Sequence, residues 1–275
     1  MEKLSTFSRI VLILKIMLSL VLLCYIFSVT FFIYFAKKET RFKIASDLQG
    51  TQISSYIFSI LEKKFPKDSN IVLEKSVPYN KRGLYSEGFK LLDQAVRLNQ
   101  KEHLGYRGWI KLNKLKDYKG AISDLEKLNK ISPKYSYIMP GEDINYLLAI
   151  SYQGSGNYEM SKKYYQIFFK ETDSLLLHSI PHTYVNYGIL LEKLGNYPEA
   201  MFQYNKSLKI GTYNFAESYY NKGILFEKMK LKDSAKICFE KALQQYDKGY
   251  RVKDIYNEVF NEIYREDITN KIEHK

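Results

Sequence analysis

The chain has 275 residues, 45% of them hydrophobic and 26% charged, so it is long enough to bury a continuous core. Two cysteines, Cys24 and Cys238, exclude a disulfide framework and read as apolar packing residues, while 14 Gly and 6 Pro are few enough to suit helix. The formal net charge of +12 is uneven: residues 37–135 hold 21 Lys/Arg against 11 Asp/Glu, whereas residues 136–275 hold 18 of each. Such asymmetry suits contact with nucleic acid or an anionic membrane surface, or a solvated basic face.

After a short tail over residues 1–9, apolar character begins at Ile10, and residues 16–36 carry no charge at all. About 20 apolar residues cross the hydrocarbon core of a bilayer as a helix, so the pattern predicts a transmembrane helix over residues 10–36. The rival is a cleaved signal peptide, which has a shorter apolar core and a small-x-small cleavage site. Here the run ends in Phe32, Ile33, Tyr34, Phe35, Ala36 and Lys37, a poor site of that kind. Tyr25, Tyr34, Lys37 and Lys38 suit an interfacial belt. Lys3, Arg9 and Lys15 on one flank face Lys37, Lys38, Arg41 and Lys43 on the other, so charge selects no orientation. The expected location is the cell membrane, crossed once, with the side carrying the rest of the chain open.

Residues 37–67 read as stalk or capping helices, broken near Gly50 and closed by Pro66. In residues 68–100 the second of two helices is clear from Tyr85, Phe89, Leu92, Ala95 and Leu98, while Pro78 is expected to interrupt the first. Asn80–Gly83 reads as the turn between them, its cations suiting a helix C-terminus. A second pair spans residues 103–133. There Gly108 stands nine residues before Asp117, where Gly188 stands eight before Asn196, so the helix around Trp109 is expected to be rotated, bulged or differently packed. Residues 134–143 form an insertion with a Met-Pro-Gly turn, residues 145–172 a third pair, and residues 173–181 a second insertion. At the far end, Ile255, Val259, Ile263 and Ile268 predict a capping helix over residues 251–272, within a terminal segment 249–275.

The organising feature is a stretch that occurs twice. Residues 184–208 and 219–243, offset by 35, share Tyr184/Tyr219, Asn186/Asn221, Gly188/Gly223, Ile189/Ile224, Leu190/Leu225, Glu192/Glu227, Lys193/Lys228, Ala200/Ala235, Lys206/Lys241 and Leu208/Leu243. A fixed period of this size marks a stacked array. Each copy holds two apolar-periodic stretches around a short break, hence a helix, a turn and a second, antiparallel helix. Gly188 and Ala200, and Gly223 and Ala235, fall on facing sides and let the axes approach to about 8–10 Å. The succession of aromatic, small residue, Gly-Asn-Tyr turn, Ala and second aromatic resembles the tetratricopeptide repeat.

That resemblance implies an all-α right-handed superhelix with about five helix pairs across residues 68–248. It also implies a concave groove, lined by the first helix of each pair, that holds a partner protein or peptide. Carried over residue by residue, the groove positions are Asp143, Tyr146 and Ile150; His182, Val185, Asn186, Ile189 and Lys193; and Glu217, Tyr220, Asn221, Ile224 and Lys228. The narrower expected set is Tyr146, Ile150, Asn186, Ile189, Lys193, Tyr220, Asn221, Ile224 and Lys228. An Asn amide offers both donor and acceptor to a peptide backbone, or else bonds within the array, and Lys193 and Lys228 would attract a carboxylate.

Catalytic patterns are missing: no Gly-rich phosphate loop, no Gly-x-Ser-x-Gly, no carboxylate pair and no Cys/His dyad. No enzyme activity, catalytic residue or cofactor is expected. His178 and His182 stand four apart but have Pro181 between them and no third ligand nearby, so no metal is expected. The function that fits is a membrane-anchored interaction scaffold. The alternatives are a basic half that binds anionic lipid or, less favoured, nucleic acid, and a purely structural subunit of a membrane assembly.

Overall fold

The computed structural model describes residues 6–132, 137–138, 142–174, 181–210, 214–254 and 257–273. These fall into two compact units, Met1–Asn99 and Gln100–Lys275.

The first unit holds α1 (Thr6–Phe35), α2 (Lys38–Asp47), α3 (Gln52–Lys64), α4 (Ser69–Lys81) and α5 (Tyr85–Leu98). Within α1, Ile10–Phe35 is 26 residues of helix long and apolar enough to cross a membrane, by length and composition. At 1.5 Å per residue it spans about 39 Å, and its large side chains stand outward, Leu18 at 72% and Phe27 at 71% exposure. Between α2 and α3 the chain reverses at Gly50, whose φ of +89° suits a residue without Cβ. Arg82 Nη2 donates to the Gly50 carbonyl (2.6 Å), fixing this turn to the end of α4. Thr51 caps α3 by accepting from the Ser54 amide (3.1 Å). Ala45, Ile57, Phe58, Leu61 and Ile71 form the unit's core, with Ile33 at the end of α1 packed against it.

One expectation fails here: Pro78 does not interrupt α4, which runs on to Lys81. The proline sits in the last turn, so it removes one N–H late in the helix. Its own carbonyl still accepts from the Arg82 amide (3.2 Å) to close the end.

The second unit holds α6 (Gln100–Asn113), α7 (Tyr118–Ile131), α8 (Ile144–Gly154), α9 (Tyr158–Ser174), α10 (Pro181–Lys193), α11 (Tyr197–Ile210), α12 (Ala216–Lys228), α13 (Lys232–Asp247) and α14 (Arg265–Glu273). Between α7 and α8, β1 (Tyr137–Ile138) and β2 (Glu142–Asp143) pair as a two-residue antiparallel ladder, a detail the periodicity did not signal. The Met-Pro-Gly turn expected between them lies outside the described residues, as does most of the second insertion. Helices α6/α7, α8/α9, α10/α11 and α12/α13 pack as hairpins, and each hairpin packs on the next. In addition α6 meets α8, α8 meets α10, and α10 meets α12, so the first helices share one face of the unit. The fold is all-α.

Small residues set the closeness of each hairpin. A Cβ built on Gly188 would lie 2.4 Å from the Tyr204 ring, and one on Gly223 would lie 2.6 Å from the Phe239 ring. Both glycines thus press an aromatic of the second helix directly onto the backbone of the first. Neighbouring hairpins are joined by aromatics: Phe169 stacks on Tyr184 at 4.7 Å between centroids, and Tyr165 lies 4.9 Å from Tyr187. Farther on, Ser207 and Ser218 bond hydroxyl to hydroxyl at 2.8 Å.

Gly108 faces its partner helix in the same manner, a Cβ there lying 3.0 Å from Leu125. The extra residue of this hairpin is therefore not absorbed by rotating α6. It widens the turn instead: the Asp117 amide reaches six residues back to the Lys111 carbonyl (2.9 Å), whereas the Asn196 amide reaches five back to Leu191 (2.8 Å). Trp109 stacks on Tyr106 at 6.4 Å beside the hairpin contact. In this hairpin Asp124, buried on α7, takes a two-pronged bond from Arg107 (2.8 and 2.7 Å) and an ion pair from Lys111 (2.8 Å).

Two outcomes follow from this packing. Gly188→Val drives a side chain into Tyr204 and is expected to lower stability by about 1–3 kcal/mol, the usual cost of overpacking, measured by denaturant unfolding of the full chain. Lys230 holds a φ of +61° at the turn position where Gly195, 35 residues earlier, holds +76°. Lys230→Gly is expected to raise stability by up to about 1 kcal/mol, since a left-handed φ strains a residue with a Cβ; a lower melting temperature would show that the lysine is held there by something other than turn geometry.

Candidate partner-binding face

The residues of the expected groove set belong to α8, α10 and α12, with Asp143 standing just before α8. Asp143 caps α8, its Oδ1 accepting from the amides of Asn145 (2.7 Å) and Tyr146 (3.2 Å). Burial, with Glu171 nearby, lifts its carboxyl to about 6 against the pull of those two amides. Ile150 and Val185 are buried and belong to the core, whereas Ile189 and Ile224 are half-buried. Tyr146 lies against Phe168 at 5.6 Å and accepts from Asn186 Nδ2 through its hydroxyl (2.9 Å). Tyr220 lies 5.8 Å from Phe239.

The two asparagines behave differently. Asn221 turns back on its own helix, Nδ2 donating to the Glu217 carbonyl (2.8 Å). Asn186 joins two hairpins and the terminal segment: besides Tyr146, its backbone carbonyl accepts from Gln153 Nε2 (3.2 Å), and its Oδ1 accepts from Asn261 Nδ2 (2.8 Å). The lysines also divide. Lys228 is bonded to Glu192 of the preceding hairpin (2.7 Å) rather than left for a carboxylate from outside. The other oxygen of Glu192 accepts from the Tyr204 hydroxyl (2.5 Å), and burial beside that carboxylate pushes the phenol up. Lys193 is exposed and stands 5.4 Å over the Tyr158 ring.

What Asn261 is doing on this face is the main correction to the sequence reading. The capping helix expected over residues 251–272 exists only from Arg265 onward, as α14. Residues 251–254 and 257–264 are non-helical and run over α10 and α12. The Val252 amide donates to Glu217 Oε1 (2.9 Å), and His182 Nε2 bonds the Phe260 carbonyl (2.9 Å). The Phe260 ring meets Tyr118 edge-on at 6.3 Å, and Lys116 Nζ donates to the Glu258 carbonyl (3.0 Å). His178, the other half of the histidine pair, lies outside the described residues.

Local chemistry explains why this segment is not helix. It contains four β-branched residues, Val252, Ile255, Val259 and Ile263, and neither Ala nor Leu. Polar side chains take the amides that a helix would use: Asp254 Oδ1 accepts from Asn257 (3.0 Å) and Glu262 Oε2 from Val259 (2.9 Å). Asn261 adopts φ +58°, a conformation Asn tolerates. The Tyr264 amide donates to Asp267 (2.7 Å), the back half of a capping box that starts α14. Apolar spacing alone suggested helix; the β-branched content without Ala or Leu was the signal available against it.

Two buried titratable groups lie under the segment. His182 is driven down to about 4 by burial, so it is neutral and donates through Nε2. Glu217 is driven up to about 7 by burial, with Glu262 adding to the rise and Arg251 and the Val252 amide opposing it. A carboxyl with a raised folded value holds its proton in the fold, so its ionisation weakens the fold as pH climbs from 4.5 towards 7. His182 acts in the opposite sense, weakening the fold as pH falls from 6.5 towards 4. Between about pH 4.5 and 6.5 the two slopes cancel. Glu217→Gln removes one of them, so its stability relative to the unaltered chain is expected to grow from pH 4.5 to 7 and reach about 3 kcal/mol. Urea unfolding across that range reads the difference, and a constant offset would mean that Glu217 ionises freely in the fold.

A tetratricopeptide repeat model matches residues 181–210 and 216–247, which are the hairpins α10/α11 and α12/α13. No curated protein matches the chain. Among solved structures, PilW, described as a widely conserved type IV pilus biogenesis factor, is 13% identical with a TM-score of 0.59, covering 78% of this chain and 94% of its own. Pseudomonas aeruginosa pilF is 14% identical with a TM-score of 0.58, covering 76% and 94%. YrrB, described as a TPR protein with an unusual peptide-binding site, is 17% identical with a TM-score of 0.51, covering 68% and 91%. At these identities the likeness is one of fold. The chain therefore carries tetratricopeptide repeats, in an all-α fold shared with proteins built from them and preceded by an apolar N-terminal helix.

Proposed function

We propose that this protein is a single-pass, membrane-anchored scaffold that binds a protein or peptide partner on the face formed by α8, α10 and α12. The observation that carries the reading is that this face already receives irregular polypeptide. His182 takes a backbone carbonyl, Glu217 a backbone amide and Asn186 a side-chain amide, all from residues outside regular structure. A surface that satisfies the polar groups of a non-helical segment has the donors and acceptors that peptide recognition needs. The peptide-binding site named for YrrB supports the same use of the fold.

The apolar helix Ile10–Phe35 supports the anchor, because outward-facing side chains such as Phe27 and Leu18 need a hydrocarbon phase to cover them. Tethering confines the repeats to the bilayer surface and raises the local concentration of any partner also held there. Exposed Lys193 and half-buried Ile189, Ile224 and Tyr220 extend the face beyond the residues already engaged.

Affinity capture from detergent-solubilised membranes tests this reading. The full chain is expected to recover a partner that the double variant Asn186→Ala/Asn221→Ala recovers at least tenfold less well. Equal recovery by both chains, with helicity unchanged, would remove the face from the function.

A further inference from the structure

We propose that residues 250–264 are a tethered ligand of this face, and that a partner binds by displacing them; the inference rests on the reading above of the face as a peptide-binding surface. Both ends of the segment are held by the last hairpin. At one end the Tyr250 carbonyl accepts from the Ala216 amide (2.9 Å). At the other, Ile263 and Ile268 are buried with Ala216 and Ala242, and Arg265 pairs with Asp247 (2.9 Å). Between these fixed ends the chain travels away from its own hairpin. Glu258 and Phe260 reach Lys116 and Tyr118 at the turn joining α6 to α7, Phe260 and Asn261 meet His182 and Asn186 of α10, and the chain then returns.

The described residues in the middle of the segment are attached by matched polar groups more than by buried apolar surface. Val252, Val259, Phe260 and Asn261 are half-buried, Lys253, Asp254 and Glu258 are exposed, and among its described residues Ile263 alone is buried. Surface attachments of this kind, with half-buried side chains on a non-helical backbone, open at lower cost than the packed helices beneath them while the ends stay fixed. Tethering offsets that weakness, since a loop fixed at both ends stands at high effective concentration over the face.

The bonded groups define what can replace it. His182 Nε2 takes the carbonyl of an aromatic residue, Asn186 takes the amide of the asparagine that follows, and Tyr118 takes the aromatic ring. The asparagine holds a left-handed φ, which makes the pair a turn rather than a strand. The partner is therefore a polypeptide turn bearing an aromatic–asparagine pair.

The test uses the full chain in detergent and a fluorescein-labelled synthetic peptide with the sequence of residues 250–264. Phe260→Ala/Asn261→Gly removes the ring and the amide from the tethered copy, and glycine suits the positive φ. Anisotropy titration is expected to give an affinity for the labelled peptide about tenfold or more higher in this variant than in the unaltered chain, because the face is no longer occupied. Adding Asn186→Ala is expected to abolish the gain. The milder Asn261→Gly alone is expected to give an intermediate affinity and serves if the double variant fails to fold. Equal affinity with and without release, or no binding to a released chain of normal helicity, overturns the proposal. The probe is the chain's own segment, so this result stands apart from partner capture: capture insensitive to Asn186 and Asn221 removes the proposed function, whereas equal peptide affinity removes the tethered ligand alone.

Discussion

The packing of the second unit depends on a small residue, glycine in three of its four hairpins and Ala149 in the other, where the paired helices meet. Gly188 under Tyr204 and Gly223 under Phe239 let an aromatic ring touch the backbone of the facing helix. That contact sets the separation within a hairpin, and the hairpin's thickness sets the step to the next. Repeated, it brings α8, α10 and α12 side by side, so that residues far apart in sequence share one surface. The aromatic contacts of Phe169 with Tyr184 and of Tyr165 with Tyr187 join α9 to α10 with large apolar area, and the Lys228–Glu192 pair links α12 to α10 by charge.

The polar groups on that surface fall into two kinds. Some are spent inside the array: Asn221 on its own helix, Lys228 on Glu192, and Tyr204 on the same carboxylate. Of these, the Lys228 pair crosses between hairpins, and Glu192 is the node, accepting from Tyr204 of its own hairpin and from Lys228 of the next. Others point at the chain's own terminal segment: His182, Glu217 and Asn186. Burial favours the neutral form of both, so between about pH 4 and 7 neither His182 nor Glu217 is predominantly charged. A face covered in this way avoids burying a net charge against a backbone carbonyl or amide, which would cost several kcal/mol per uncompensated ion.

The sequence was a good guide where the physics is local and repeats. Two copies offset by 35 residues carry the helix–turn–helix unit in their spacing, and an uncharged run of 21 residues carries the apolar helix in its composition. It was a poorer guide where one residue has two outcomes. Pro78 reads as a helix breaker but sits in the last turn, where its missing amide costs little. The extra residue after Gly108 reads as a packing defect but is absorbed in a wider turn. For the lysines, residue type signalled charge but not its partner: Lys193 lies over a ring and Lys228 on a buried carboxylate.

Taken alone, the sequence determined the class of fold, the hairpin unit and the helix that suits a bilayer, because apolar periodicity and small-residue spacing act within about 35 residues. Only the tertiary structure decided which side chains of the shared face stand open. The reason is that Asn261 meets Asn186 across 75 positions and Phe260 meets His182 across 78. Such contacts leave no periodic trace; they exist because the stacked hairpins curve the chain's end back onto a surface that its earlier residues had built.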